Sequence, residues 1–102
     1  MNRLEVKNFI RNDFESQGFK VMEAFDSGAF DMVFQHSDLG YNIFLKFYKS
    51  SKELEQNWPE VQGKVEEIIE KRKILSYNSY LIFALPQEDL PPETEIQRII
   101  FY

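Results

Sequence analysis

The hydrophobic positions at the start of the chain recur with a helical period. They are three or four residues apart and make one apolar stripe: Val6, Phe9, Ile10 and Phe14. Asn2 is a good helix cap, and Glu5 follows three residues later, as in a capping box. Gly18 is suited to end the helix, because glycine tolerates the left-handed conformation of a helix C-terminus. We therefore expect a helix over residues 2–18.

Three segments with a two-residue period follow, and each is separated from the next by a short turn. The segments are "FKVMEAF" (19–25), "AFDMVFQ" (29–35) and "YNIFLKFY" (41–48), with turns at "DSG" (26–28) and "HSDLG" (36–40). The pattern predicts a meander of three strands. The third segment is apolar on nearly both faces, which is typical of a central strand covered on both sides.

The second half of the chain predicts a helix and a further strand. Ser50 and Glu53 have capping-box spacing, and Pro59 must start a new helical segment or kink the first one. The apolar segment "NSYLIFAL" (78–85) reads as the fourth strand. The final "IIFY" (99–102) fits either a short helix or a strand. These residues pack on the sheet, or form a docking surface, or mark the chain as a fragment of something longer.

The element order is therefore α-β-β-β-α-β, an α/β (α+β) fold with helices packed on a four-stranded mixed sheet. A helix between the third and fourth strands is a crossover, so that pair should be parallel, and the rest of the sheet antiparallel. We expect a single domain over residues 1–102, and leave open that it is the N-terminal part of a longer chain.

Composition narrows the function classes. Hydrophobic residues make up 43% of the chain, enough for a core, and the net charge is −5. This acidic balance disfavours nucleic acid as a direct ligand and favours a basic protein partner. There is no cysteine, which excludes thiolate metal sites and disulfides. With no apolar segment long enough for a membrane span and no signal-peptide pattern, we expect a cytoplasmic protein that does not use a membrane.

The element order over residues 2–85 resembles the restriction-endonuclease-like, or PD-(D/E)XK, superfamily. In that family one acid lies on the second strand, and an acid and a lysine share the third. The resemblance implies Asp31 as a Mg²⁺ ligand and Lys46 as the lysine that activates water. However, Phe44 stands where the second acid belongs, and a phenyl ring cannot bind Mg²⁺. Glu23 could replace that acid if it pairs with Asp31 across the first hairpin.

A second, looser resemblance covers the Trp-containing helix, the strand after it and the C-terminus. The segments are "ELEQNWPEVQGKVEEIIEK", "YNSYLIFALP" and "EIQRIIF". They are similar to small bacterial subunits that accompany ABC-type ATPases in three-component, anti-phage-like systems. This resemblance implies a linker between other proteins, without catalysis and without a cofactor.

Several single residues admit a structural and a functional interpretation. Asp31 and Lys46 could form a structural salt bridge, a relic of an active site. His36 lies in a polar turn and should be solvated. The residues that could dock a partner, or else pack the core, are Trp58, Ile99, Ile100, Phe101 and Tyr102. An aromatic face of Tyr77, Tyr80 and Tyr102 could stack on bases, although basic residues around it are missing.

Three functions remain open. The first is a non-catalytic protein-interaction module or small subunit with a degenerate nuclease-like fold, in a bacterial defence-type assembly. The second is a Mg²⁺-dependent nuclease with a displaced acid: Glu23, Glu53 or Glu55. The third is an acidic immunity protein or antitoxin that neutralises a basic nuclease. An open strand edge or the apolar C-terminus would also permit a homodimer.

Overall fold

The computed structural model describes residues 2–22, 30–36, 38, 40–72, 78–86 and 99–102. These residues form two helices and five strands. In chain order they are α1 (Arg3–Ser16), β1 (Lys20–Val21), β2 (Met32–His36), β3 (Tyr41–Phe47), α2 (Ser51–Arg72), β4 (Ser79–Leu85) and β5 (Ile99–Phe101). The predicted order of helices and strands is confirmed up to β4. The first predicted turn, at 26–28, lies outside the described residues, as does the first strand beyond Met22.

The strands form one mixed sheet in the order β1-β2-β3-β4-β5. β2 pairs antiparallel with β1 and with β3, whereas β4 lies parallel to β3 across the α2 crossover. The predicted parallel pair and the central place of β3 are therefore confirmed. The prediction of four strands is wrong. Residues 99–101 form a fifth strand, parallel to β4, so the part of the sheet beyond β3 is parallel.

Local sequence chemistry fixes both ends of α1. Asn2 Oδ1 accepts a hydrogen bond from the Glu5 N–H at 2.8 Å, as the capping spacing predicts. At the other end Gly18 has φ +94°, and the Phe19 N–H donates back to the Phe14 carbonyl at 3.0 Å. This is a Schellman motif, and the rings of Phe14 and Phe19 make its apolar contact.

The apolar stripe of α1 is narrower than the spacing predicts. Val6 and Ile10 are buried, but Phe9 is 63% exposed, so its place in the stripe is wrong. A residue one position before Ile10 lies about 100° around the helix from it, which turns Phe9 to the flank.

α2 begins as the sequence predicts and then continues without interruption. Ser50 Oγ accepts a hydrogen bond from the Glu53 N–H at 3.2 Å. Pro59 lies inside this single helix, so the alternative of a new helical segment is wrong. No helix in the described ranges has both the length and the apolar character that crossing a membrane requires.

The helices cover opposite faces of the sheet and create two cores. The α1-side core contains Val6, Ile10, Met32, Phe34, Ile43, Leu45, Phe47 and Ala84. The α2-side core contains Phe30, Val33, Phe44, Tyr48, Leu54, Val61, Val65, Phe83 and Leu85. Alternate residues of β3 enter different cores, which explains why its sequence is apolar on both faces. The described fold is thus three layers, with the sheet in the middle.

His36 lies at the end of β2, where it pairs with Tyr41, rather than in a turn. It is only 9% exposed, and its ring packs edge-on against Phe19 with centroids 5.1 Å apart. The prediction of a solvated histidine is therefore wrong. Gly18 makes this packing feasible, because a Cβ there would lie 2.7 Å from His36 Nε2.

Candidate functional site

Asp31 lies immediately before β2, and both of its carboxylate oxygens have protein partners. Oδ2 accepts a hydrogen bond from the Phe47 N–H at 2.7 Å, and Oδ1 lies 3.3 Å from Lys7 Nζ. The side chain is 18% exposed, so water screens these contacts only in part. The carboxylate thus joins the start of β2, the end of β3 and the helix α1.

The contact with Phe47 continues the β2–β3 ladder beyond the last backbone pair. Successive N–H groups of a strand point to opposite sides, and the Tyr48 N–H bonds to Ala84 of β4. The Phe47 N–H therefore points toward β2. At that position the Asp31 side chain supplies the acceptor in place of a backbone carbonyl. Aspartate disfavours strands, but here its carboxylate satisfies a buried donor.

Two cations of α1 approach the sheet at the same place. Lys7 Nζ lies 5.7 Å and Arg3 Cζ lies 5.6 Å from the centre of the buried Phe47 ring. Tyr102 packs edge-on against the same ring at 5.6 Å. The Phe47 ring is thus flanked by two cations, and the Asp31 carboxylate pairs with one of them, Lys7.

Lys46 does not join this group. Its Nζ lies 5.8 Å from the centre of the Tyr48 ring, on the α2 side of the sheet. The predicted Asp31–Lys46 ion pair is therefore wrong, because the ion pair of Asp31 is with Lys7. Sequence reasoning missed Lys7, although a signal for it exists. Lys7 is three residues before Ile10 and seven before Phe14, so it lies beside the apolar stripe and can reach the sheet.

Tyr48 is a second polar group in this region, and it is fully buried. Its hydroxyl donates to Asn57 Oδ1 at 2.7 Å, and Asn57 Nδ2 donates in turn to Glu60 Oε2 at 3.4 Å. Burial raises the pKa of Tyr48 far above its ordinary value, and the charges of Glu53, Asp31 and Glu60 raise it further. The phenol is therefore held in its neutral, hydrogen-bond-donating form.

The position of the family's second acid carries no metal ligand. Phe44 is fully buried and packs against Phe30, with ring centroids 5.1 Å apart. Glu23, the sequence candidate for the displaced acid, lies outside the described residues. Within the ranges that are described, no three acidic or histidine side chains come together as metal ligands do. The Mg²⁺ ligands and the catalytic pair therefore stay predictions.

The residues that the sequence offered for partner docking have structural contacts wherever they are described. Trp58 and Ile99 pack on the α2-side core, and Ile100 and Tyr102 pack on the α1-side core. The Tyr102 N–H also bonds to the Leu85 carbonyl at 2.8 Å. The side chain of Phe101 and all of Tyr77 lie outside the described residues. That these four residues dock a partner stays a prediction, and the alternative that they pack the core accounts for the contacts they make.

Among the residues that the structure describes, the large apolar side chains that are exposed lie on α1. Leu4 is 67% exposed and Phe9 63% exposed, on opposite flanks of the outer surface of the helix. Comparison with protein-family models, with curated proteins and with solved structures gives no match. Both resemblances drawn from the sequence therefore stay predictions.

Proposed function

We propose that this chain is a non-catalytic protein-interaction module, a small subunit that binds a protein with a basic surface in the cytoplasm. The observation that carries the proposal is the state of Asp31. Each Asp31 oxygen has a structural partner, Lys7 or the Phe47 N–H, and the buried Phe44 stands where the family's second metal-binding acid belongs. Lys46 contacts Tyr48, on the other face of the sheet from Lys7. The two residues thus have structural contacts that account for their presence.

The charge and the surface of α1 support protein binding. The chain carries a net charge of −5, and charge complementarity accelerates capture of a basic partner. On α1, Arg3 and Lys7 are turned toward the sheet. The exposed charges of this helix are three acids and one base: Glu5, Asp13, Glu15 and Arg11. Leu4 and Phe9 add apolar area to this acidic outer surface. A partner would combine basic side chains with apolar pockets for these two residues.

A cleavage assay separates this proposal from the nuclease alternative. The protein is incubated with single-stranded DNA, double-stranded DNA and RNA in the presence of Mg²⁺ or Mn²⁺. The variants are Asp31→Asn and Lys46→Met, with Lys49→Met as a control at an exposed lysine. We expect no cleavage above a protein-free blank from any of them. Cleavage that is lost in both variants but retained in the control would refute the proposal.

A binding assay tests the other part of the proposal, that the chain binds a protein. The chain is co-expressed with the products of its neighbouring genes, and each co-purifying protein is titrated against the wild type. Phe9→Ser and Leu4→Ser should each weaken binding about tenfold, a hot-spot effect, while Asn12→Ser on the same helix should not. Binding should also weaken with added salt. A partner that binds all variants alike would contradict the α1 surface. A partner that is itself a nuclease would favour the immunity-protein version.

A further inference from the structure

The hydrophobic pattern of β3 leaves its register ambiguous. Moving a strand by one residue exchanges its two faces. In β3 the exchange would bring Ile43, Leu45 and Phe47 into the α2-side core, and all three are apolar. Phe44 and Tyr48 would enter the α1-side core in return. Both cores would stay largely hydrophobic, so burial of apolar area does not select the observed pairing.

Two polar side chains of β3 do distinguish its faces, and both lie on the α2 side. Asn42 is the first. It is 3% exposed, and it lies in a row of polar residues that crosses four strands, with Cα partners in register: Lys20, Gln35, Asn42 and Ser79. The next row on that face is apolar, and consists of Met22, Val33, Phe44 and Leu81. In the observed register Asn42 therefore has polar neighbours on both sides.

Lys46 is the second polar side chain. It is half-buried, and its Nζ stays over the Tyr48 ring at the end of the strand. A slip in one direction would place it at the site of Leu45, which is fully buried. A slip in the other direction would place it at the site of Phe47, beside two cations, Arg3 and Lys7, and one carboxylate, Asp31, which already pairs with Lys7. The first position gives the ammonium group an apolar environment, and the second gives it one with more cations than anions.

Asn42 moves into equally unsuitable surroundings in the second of these slips. It would take the site of Ile43, between Phe34 and Tyr80 in the α1-side core. Asn42 Oδ1 is already without a hydrogen-bond partner among the described residues, so this side chain adds little stability where it is. Asn42 instead disfavours the slipped register of β3 relative to the observed one. We propose that Asn42 and Lys46 together fix the register of β3 against β2 and β4.

The test compares four isotope-labelled proteins by NMR spectroscopy: wild type, Asn42→Val, Lys46→Met, and the double variant. Lys49→Met, which removes an exposed lysine just beyond β3, is the matched control. Cross-strand contacts report the register directly. Val33 faces Phe44 in the observed pairing. It would face Ile43 or Leu45 after a slip of one residue.

We expect the wild type and the control to show only the Val33–Phe44 contact. The double variant should add a second set of β3 amide signals at about one tenth of the intensity or more, the level of a populated minor state. That set should carry the slipped contacts. A double variant with a single set of signals and the Val33–Phe44 contact would overturn the proposal. A double variant that fails to fold would also overturn it, because the two residues would then supply stability rather than register.

Discussion

Replacing Asp31 with alanine tests the structural role of this carboxylate. The change removes the acceptor of the Phe47 N–H and the partner of Lys7. A buried donor left without an acceptor costs about 1–3 kcal/mol, and a partly exposed ion pair contributes about 0.2–1 kcal/mol. We therefore expect Asp31→Ala to lower the free energy of unfolding by about 2–3 kcal/mol, a large share of the stability of a small domain.

Two further variants divide this loss between its parts. Asp31→Asn keeps an acceptor for the Phe47 N–H and loses only the charge, so its loss should stay below about 1 kcal/mol. Lys7→Met removes the ion pair and keeps the carboxylate, so a similarly small loss is expected. Urea denaturation measures all of these values. Trp58, the single tryptophan, packs on the α2-side core and reports unfolding by fluorescence.

The ranking of the variants decides the outcome. The hydrogen bond to Phe47 is the main contribution of Asp31 to stability if Asp31→Ala lowers the free energy of unfolding by at least about 1 kcal/mol more than Asp31→Asn and Lys7→Met do. A loss below about 0.5 kcal/mol for Asp31→Ala, the range of ordinary surface changes, would refute the reasoning. It would also reopen the view that Asp31 is kept for chemistry rather than for the fold.

Two further predictions concern stability. Gly18→Ala should destabilise the fold by more than about 1 kcal/mol, because φ is +94° and the new Cβ would lie 2.7 Å from His36 Nε2. Gly63→Ala in α2 should instead stabilise the fold by about 0.5–1 kcal/mol, because a Cβ there meets nothing within 4 Å. Urea denaturation measures both changes. Equal effects of the two changes would contradict this contrast. The raised pKa of Tyr48 means that the folded state holds a proton that the unfolded state loses above about pH 10, so stability should be fully present below that pH and fall above it. Tyr48→Phe should fall less steeply between pH 9 and 11, and a wild-type slope in that variant would show that other groups cause the loss.

Much of the fold could be predicted because it rests on local chemistry. The capping residues Asn2 and Ser50 each accept the hydrogen bond that their spacing indicates. A crossover helix such as α2 also predicts that the strands it connects, β3 and β4, are parallel. The sequence does not distinguish a strand from a helix at the fifth strand, β5. A strand of three residues, Ile99–Phe101, has too short a pattern to exclude a helix, and its pairing with β4 decides the matter.

The candidate site shows the limit of reasoning from sequence. The sequence singled out Asp31 and Lys46 by residue type and by their strands, and both are near the ends of the expected strands. It joined them because the resemblance places an acid on the second strand and a lysine on the third. In the structure Asp31 forms its ion pair with Lys7, a residue 24 positions away on α1, whereas Lys46 lies over Tyr48 on the α2 side of the sheet. An ion pair depends on distances of a few ångströms, which the packing of α1 on the sheet sets.

The sequence by itself thus determined the types and the order of the elements up to β4, the first residues of both helices, the end of α1 and the apolar character of both faces of β3. These features follow from periodicity, capping and turn chemistry, which act between residues close along the chain. Only the tertiary structure decided the partner of Asp31, the burial of His36, the exposure of Phe9 and the fifth strand. Each of these depends on which surfaces meet when helices pack on a sheet, and that is fixed by contacts between residues far apart in sequence.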